Sequence, residues 1–246
     1  MIDYKSLSLA NQVYQQIEKN ILSGVYKAGE IISESKLSEE LGVSRTPIRE
    51  AIARLENDKL IGITPSGTVV LGITDEDVAD MFAVKRALEP MVVKMAAMNI
   101  SDEDLAKLKE ILDQQEFYQE KKNIEKVRNL DTQFHDIIYS ASGSPIFQAV
   151  LSPIHHKLMK YRKDSLTNEG RSRYSIEEHV KIYEAIQAGN QEKIEELVLK
   201  HVDQAYKSIQ KGTSRKRRND AGKRSGAENR PDSDSGRHRH HGISGV

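Results

Sequence analysis

Two groups of residues in this chain could do chemistry. The first lies in the run Leu41-Gly42-Val43-Ser44-Arg45-Thr46-Pro47-Ile48-Arg49-Glu50-Ala51. Arg45 and Arg49 stand four apart on the first turns of a predicted helix, so both guanidinium forks can face one groove of DNA. There, bidentate pairing to guanine O6 and N7 is the commonest specific contact. Ser33, Ser44 and Thr46 place short hydroxyls near helix N-termini, where free N–H groups already favour phosphate, so they read as contacts that fix register. Lys36, Pro47 and Arg54 complete the surface expected to face DNA. The plainer alternative is a solvated helix face.

The second group is metal-like. In Asp131-Thr132-Gln133-Phe134-His135 a carboxylate and an imidazole sit at i and i+4, on one helix face, where they can share an ion. Val127, Leu130, Phe134 and Ile138 form the apolar stripe of that helix, and the pair borders it. His179 stands among Ile176, Val180, Tyr183 and Ile186, and His201 among Leu197, Val198, Val202 and Ala205. Each imidazole taken singly reads as an ordinary hydrogen-bonded core histidine. Together, ionisable groups pointing into one bundle would be costly unless paired, and a shared cation accounts for all four. Three imidazoles and a carboxylate suit Zn, Ni, Fe or Mn. His155 and His156, adjacent on a helix, point in divergent directions and read as non-ligands.

The elements that must position these groups follow from periodicity. Leu9, Val13, Ile17, Ile21 and Leu22 predict an amphipathic helix over 7–23. Ser33 to Leu41, ended by Gly42, predicts a second, and the Arg45 helix a third. The β-branched runs Leu60 to Thr64 and Thr68 to Leu71 flank Pro65-Ser66-Gly67 and predict a hairpin; an extended piece at Gly29 to Ile32 supplies a third strand. Helix, turn, helix and hairpin make a winged helix-turn-helix over 1–73. No basic residue precedes the turn of the wing, which leaves backbone N–H groups near Gly67 as its means of reaching DNA.

At Thr74-Asp75-Glu76-Asp77, a capping box, the pattern becomes helical throughout. Six helices are expected, over 75–98, 102–121, 124–141, 145–165, 172–188 and 191–211. Ser101 with Asp104 reads as a second capping box, Ser144-Pro145 as an N-cap with Pro at the first helical position, and Gly189-Asn190 as a break. Short connections predict an all-α antiparallel bundle over 74–211. Residues 212–246 hold no aromatic, Leu or Met residue and are expected to be disordered. Arg215 to Arg218 could act there as a phosphate-binding arm, and His238, His240 and His241 as a metal tract; the plain reading is a solvated tail.

Composition sets outer bounds. The 246 residues contain no Cys, which excludes disulfides and thiolate metal sites. No apolar run approaches the roughly 20 residues that span a bilayer, so a cytoplasmic protein is expected. Charge alone would not suggest DNA: residues 1–211 carry 28 Lys and Arg against 33 Asp and Glu, a net of −5.

The run from Ser33-Glu34 to Ala51 resembles the GntR family of bacterial transcription regulators. Lys85-Arg86-Ala87-Leu88-Glu89-Pro90 resembles the start of the all-helical ligand domain of its FadR-type branch, the FCD domain, here in the six-helix, VanR-like form. The resemblance implies a divalent metal held by an Asp-x-x-x-His and two later histidines, matching Asp131, His135, His179 and His201. It implies a regulator, not an enzyme: a homodimer on a palindromic double-stranded operator, answering to a small organic acid at the metal. By the same resemblance Arg86 faces the effector cavity, with Arg162 a second candidate; a surface ion pair is the alternative for each. Rival readings are a metal-dependent hydrolase or lyase fused to a DNA-binding domain, and a repressor for which the metal is itself the signal.

Overall fold

A computed structural model describes residues 8–161 and 169–227. Arg162, His238, His240 and His241 lie outside the described residues.

Helix α1 (Leu9–Leu22) begins at Ser8, whose Oγ accepts from Asn11 N, and buries Val13, Ile17 and Ile21. Helix α2 (Glu34–Leu41) begins at Ser33, whose Oγ accepts from Lys36 N, and ends at Gly42 with φ 66°, a conformation glycine enters without a Cβ clash. Helix α3 (Arg45–Asn57) buries Ile48, Ala51, Ile52 and Leu55 against these two, so its charged face is left outward. Strands β1 (Ile31–Ile32), β2 (Ile61–Thr64) and β3 (Gly67–Val70) form an antiparallel sheet in the order β1-β3-β2. Ile31 pairs with Val69 and Ile61 with Val70. At the wing turn Gly67 has φ 126°, and an added Cβ would come within 3.2 Å of Ile31 Cγ2.

Among the described residues six helices follow: α4 (Asp75–Asn99), α5 (Asp102–Glu120), α6 (Ile124–Ala141), α7 (Pro145–Tyr161), α8 (Glu169–Gln187) and α9 (Gln191–Ala227). The Thr74 and Asp77 side chains make the reciprocal capping box at α4. At α5 only half of the expected box forms. Ser101 Oγ accepts from Asp104 N, while the Asp104 carboxylate turns to Lys107. α4 packs on α9, α6 and α7, α5 on α6 and α8, and α8 on α9, enclosing one apolar core that includes Phe82, Val92, Leu108, Phe134, Leu151 and Val198. The first unit has its own core, centred on Ile17, Leu37, Ile48 and Leu55, and Ile73 packs against both.

One expected boundary is overrun. α9 continues to Ala227, sixteen residues beyond Lys211 and into the segment read as disordered. Low apolar content argues against nucleating a helix there. It does not prevent an anchored helix from propagating through a Lys-, Arg- and Ala-bearing stretch whose first proline is Pro231.

Candidate functional site

The outward face of α3 carries Arg45, Thr46, Arg49 and Arg54, all exposed. Arg45 and Arg49 each have one light tether. Arg45 Nη2 donates to Ser35 Oγ at 3.2 Å and Arg49 Nε to Glu34 Oε2 at 2.8 Å, with the Arg49 side chain 65% exposed. A surface pair of this kind is worth about 0–1 kcal/mol, so redirecting either fork to a base costs little. Ser44 stands at the N-cap of α3 with no side-chain capping bond, which leaves its hydroxyl available to phosphate. Ser33 Oγ is occupied by its own cap, and Lys36 pairs with Glu30 at 3.2 Å.

Two residues expected to face DNA are placed otherwise. Pro47 is buried in the first turn of α3, because it falls on the same face as Ile48, Ala51 and Leu55. Arg54 turns back on its own domain, donating to Asn11 Oδ1 at 3.0 Å and lying 4.1 Å over the Tyr14 ring. The wing presents exposed Ile63 and a Thr64-Ser66-Gly67 hydrogen-bonded tip, with no cation between Ile61 and Val70.

The second group converges inside the bundle. Asp131, His135, His179 and His201 are all buried. Donor atoms of His135, His179 and His201 lie within 4.8 Å of one another, and His179 Nε2 is 3.7 Å from Asp131 Oδ1. What fixes the rings is the outer layer. His135 Nδ1 is 3.2 Å from Glu89 Oε1, His179 Nδ1 3.3 Å from Gln115 Oε1, and His201 Nδ1 2.8 Å from Glu178 Oε2. Each of those partners is an acceptor, so the proton sits on Nδ1 and the Nε2 lone pair turns inward. That is how metal-ligating histidines are oriented. His135 Nε2 and His179 Nε2 are buried without a hydrogen-bond partner. Unpaired buried acceptors are rare and need an explanation, and a cation supplies one.

His155 joins the cluster as a supporting residue. It does diverge from His156, which pairs with Asp136 at 2.8 Å, but it diverges inward, with its ring centroid 4.1 Å from that of His135. Its Nδ1 lies 3.3 Å from Lys85 Nζ, a donor, so its proton belongs on Nε2. That atom is 3.1 Å from Asp131 Oδ2, close but not aligned as a hydrogen bond. Asp131, His135 and His155 thus cluster within 4.8 Å beside the first group, but with both ring nitrogens engaged His155 supports Asp131 and offers no free lone pair. The spacing was there to be seen: Leu151, His155, Leu158 and Met159 make a buried helical stripe.

Arg86 is also corrected. It lies on the surface, donating from Nε to Asp203 Oδ1 at 2.9 Å with its side chain 55% exposed. The residue that enters the bundle is its neighbour Lys85, on the stripe Val78, Phe82, Lys85, Glu89, Val92, from which one residue is a rotation of about 100°. Lys85 Nζ donates to Glu89 Oε1 at 2.9 Å and to Tyr139 Oη at 2.8 Å, and Tyr139 Oη donates to Glu89 Oε1 at 2.5 Å.

Electrostatics leave this cluster with its lone pairs free. Burial pushes three of the imidazoles down: His155 to about 3, His179 well below its ordinary value against the pull of Asp131, and His201 in the same direction against that of Glu178. Burial would raise Asp131, but the imidazoles packed around it, His155 Nε2–H foremost and then His179 and His135, hold it well below the usual carboxylate range. Neutral imidazoles around an ionised carboxylate are the state a cation requires.

Comparison with known proteins matches both halves. Residues 9–70 match the family described as bacterial regulatory proteins, gntR family, and residues 80–204 match the FCD domain. An uncharacterized HTH-type transcriptional regulator of Bacillus subtilis, YdhC, is 29% identical over 77% of this chain and 86% of its own. The gluconate operon transcriptional repressor of Bacillus licheniformis is 32% identical over 50% of this chain and 51% of its own. The solved structure of Escherichia coli McbR/YncC aligns with TM-score 0.69 at 26% identity, covering 84% of this chain and 99% of that one. A helix-turn-helix with its arginines outward, joined to a six-helix bundle with a buried Asp and His cluster, therefore belongs to the GntR family of bacterial regulatory proteins, as a DNA-binding transcription regulator with an FCD domain and not an enzyme.

Proposed function

We propose that the chain is a metabolite-responsive regulator that binds a two-fold symmetric operator as a homodimer, its affinity set by a small organic acid at a divalent metal in the bundle. The observation that carries the reading is the inward convergence of partnerless imidazole nitrogens at His135 and His179 beside Asp131. His135, His179 and His201 would hold the ion through Nε2 and Asp131 through its carboxylate. The ion, Zn, Ni, Fe or Mn by this donor set, supplies when bound a buried positive charge on which a carboxylate can sit. Glu89, Gln115 and Glu178 keep the rings in place, and His155, held by Lys85, restrains Asp131. The relative named for the gluconate operon supports an acid as the signal.

An effector can change DNA affinity only by favouring one placement of the reading heads. The 71–77 junction and α4 connect the units, and α7 adds a second link. Lys157, two residues after His155, donates to the Asp58 carbonyl at the end of α3 at 3.2 Å. One winged domain reads a short half-site, and two-fold dimers are the commonest assembly, which together support the paired operator.

The test selects an operator from a random duplex library, then measures its affinity in metal-replete and chelated protein with gluconate, lactate and acetylated amino acids. An acid-dependent change of about ten-fold or more in replete protein alone is expected. A change produced by metal without acid would make the ion the signal. On the selected site, Arg45→Ala and Arg49→Ala should each cost about 1–3 kcal/mol and relax preference at one base step. Equal weakening on every sequence would make them phosphate contacts instead.

A further inference from the structure

A cleft of about 870 Å³ separates the last turns of α1 from α6 and α7. Beside Asp131, between Gln115, Ser172 and Ile176, is a chamber of about 10 Å³, room for about one water. Ile124, Arg128 and Met159 line both spaces, so these three side chains are the partition between the cleft and the chamber, into which Asp131 alone of the four clustered donors faces. Met159 is unbranched and adaptable, the kind of side chain that can move aside for a ligand.

Arg128 stands on α6 three residues before Asp131, on the same helix face. It is half-buried, and among the described residues it has no ion-pair partner; the same is true of Lys19, which faces the cleft from the last turn of α1. A guanidinium at the mouth of the chamber beside Asp131 with no counter-ion is built to receive an anion, since charge-assisted bonds to Arg are among the strongest in water-accessible sites. Two cations against one carboxylate, Glu125, leave the lining net positive apart from the His156 and Asp136 pair.

We infer that the cleft is the outer half of the effector site. The ligand is an elongated dianionic acid, with one carboxylate entering past a displaced Met159 toward Asp131 and a second anionic group held between Arg128 of the bundle and Lys19 of the DNA-binding unit. This rests on the acid-responsive reading above and specifies the class of acid. It also gives the signal a short path, because α1 packs directly on α3. A dianion that ties Lys19 to Arg128 fixes α1 against α6, and with α1 the helix that reads DNA.

The experiment titrates metal-loaded, full-length protein by calorimetry with straight-chain dicarboxylates from malonate to suberate and with monocarboxylates of matching length, measuring metal content afterwards. A length optimum is expected at which the dicarboxylate binds about ten-fold or more tightly than its monocarboxylate, the range of one charge-assisted bond. Lys19→Ala and Arg128→Ala should each reduce that preference to about two-fold or less with metal content unchanged, and both positions are accessible enough for the fold to survive. Equal affinity within each pair, or a preference that survives both substitutions, overturns the bridging site. If monocarboxylates bind only the metal-loaded protein and no dicarboxylate preference exists, the acid reading stands and the bridge falls. A dicarboxylate preference that persists after chelation keeps the bridge and removes the metal anchor, and no binding by any acid removes both.

Discussion

His179→Ala should lower metal affinity by more than about 100-fold and abolish the acid response, while operator affinity without effector stays within about three-fold. The size follows from position. Loss of an outer-layer partner alone typically costs about 10–100-fold in metal affinity, and His179 is an inner donor, with a partnerless Nε2 facing the other imidazoles. The selectivity follows from distance in the fold: His179 lies in the core of the bundle, stacked on Phe134 with ring centroids 4.6 Å apart, whereas α3 belongs to the other core. Metal content by mass spectrometry and operator affinity by anisotropy, each with and without acid, are the measurements. His179→Gln, which keeps volume and a hydrogen bond to Gln115, separates loss of the donor from loss of packing. A mutant that binds no metal and still responds fully to acid would sink the metal-anchored mechanism.

The same cluster gives the chelated protein a pH signature. His155, His179 and His201 have folded values below the ordinary 6.5, so below that pH the unfolded chain takes up protons that the native state refuses. Their contribution is complete above about pH 6.5 and is lost as pH falls toward the folded value, about 3 for His155. The melting temperature of chelated protein should therefore drop steadily below pH 6.5.

The DNA-reading half was legible because its signals are local. Ser33, Gly42 and Gly67 each occupy the cap or turn that their own chemistry demands, and the α3 face is set by a stripe of four apolar residues. The inward placement of Asp131, His135, His179 and His201 was legible by the same logic, since a histidine on an apolar stripe must point inward. Lys85 was missed because a lysine on such a stripe reads as a side chain that reaches out to water. Glu89, together with Tyr139 and His155, 54 and 70 residues away, explains why it stays in. His155 was set aside as one of an adjacent pair, although divergence is what sends one of two neighbours into the core. The cleft between α1 and α6 joins segments about a hundred residues apart, and no spacing in the sequence announces it.

Lys85→Met should destabilise the bundle by about 3–5 kcal/mol, and Lys85→Met combined with Glu89→Gln should recover most of that loss. Lys85 is 4% exposed and Glu89 fully buried, so removing the ammonium strands a carboxylate in the core, and breaking one side of a buried pair carries a cost of about this size. Burial alone would push the Glu89 carboxyl up; the Lys85 charge, with help from His135, holds it well below the usual range. Glutamine removes the charge while still accepting from Tyr139 Oη and His135 Nδ1, the two donors that now share Glu89 Oε1. Urea melts of both singles and the double close a cycle, and a coupling above about 2 kcal/mol is expected for groups in direct contact. Should Lys85→Met cost under about 1 kcal/mol, the ammonium would have to be solvated, and the restraint it places on His155 and Asp131 would go with it. Metal affinity provides the independent check: the single mutant lets Glu89 protonate and loosens its hold on His135, so affinity should fall about 10–100-fold even where the protein remains folded.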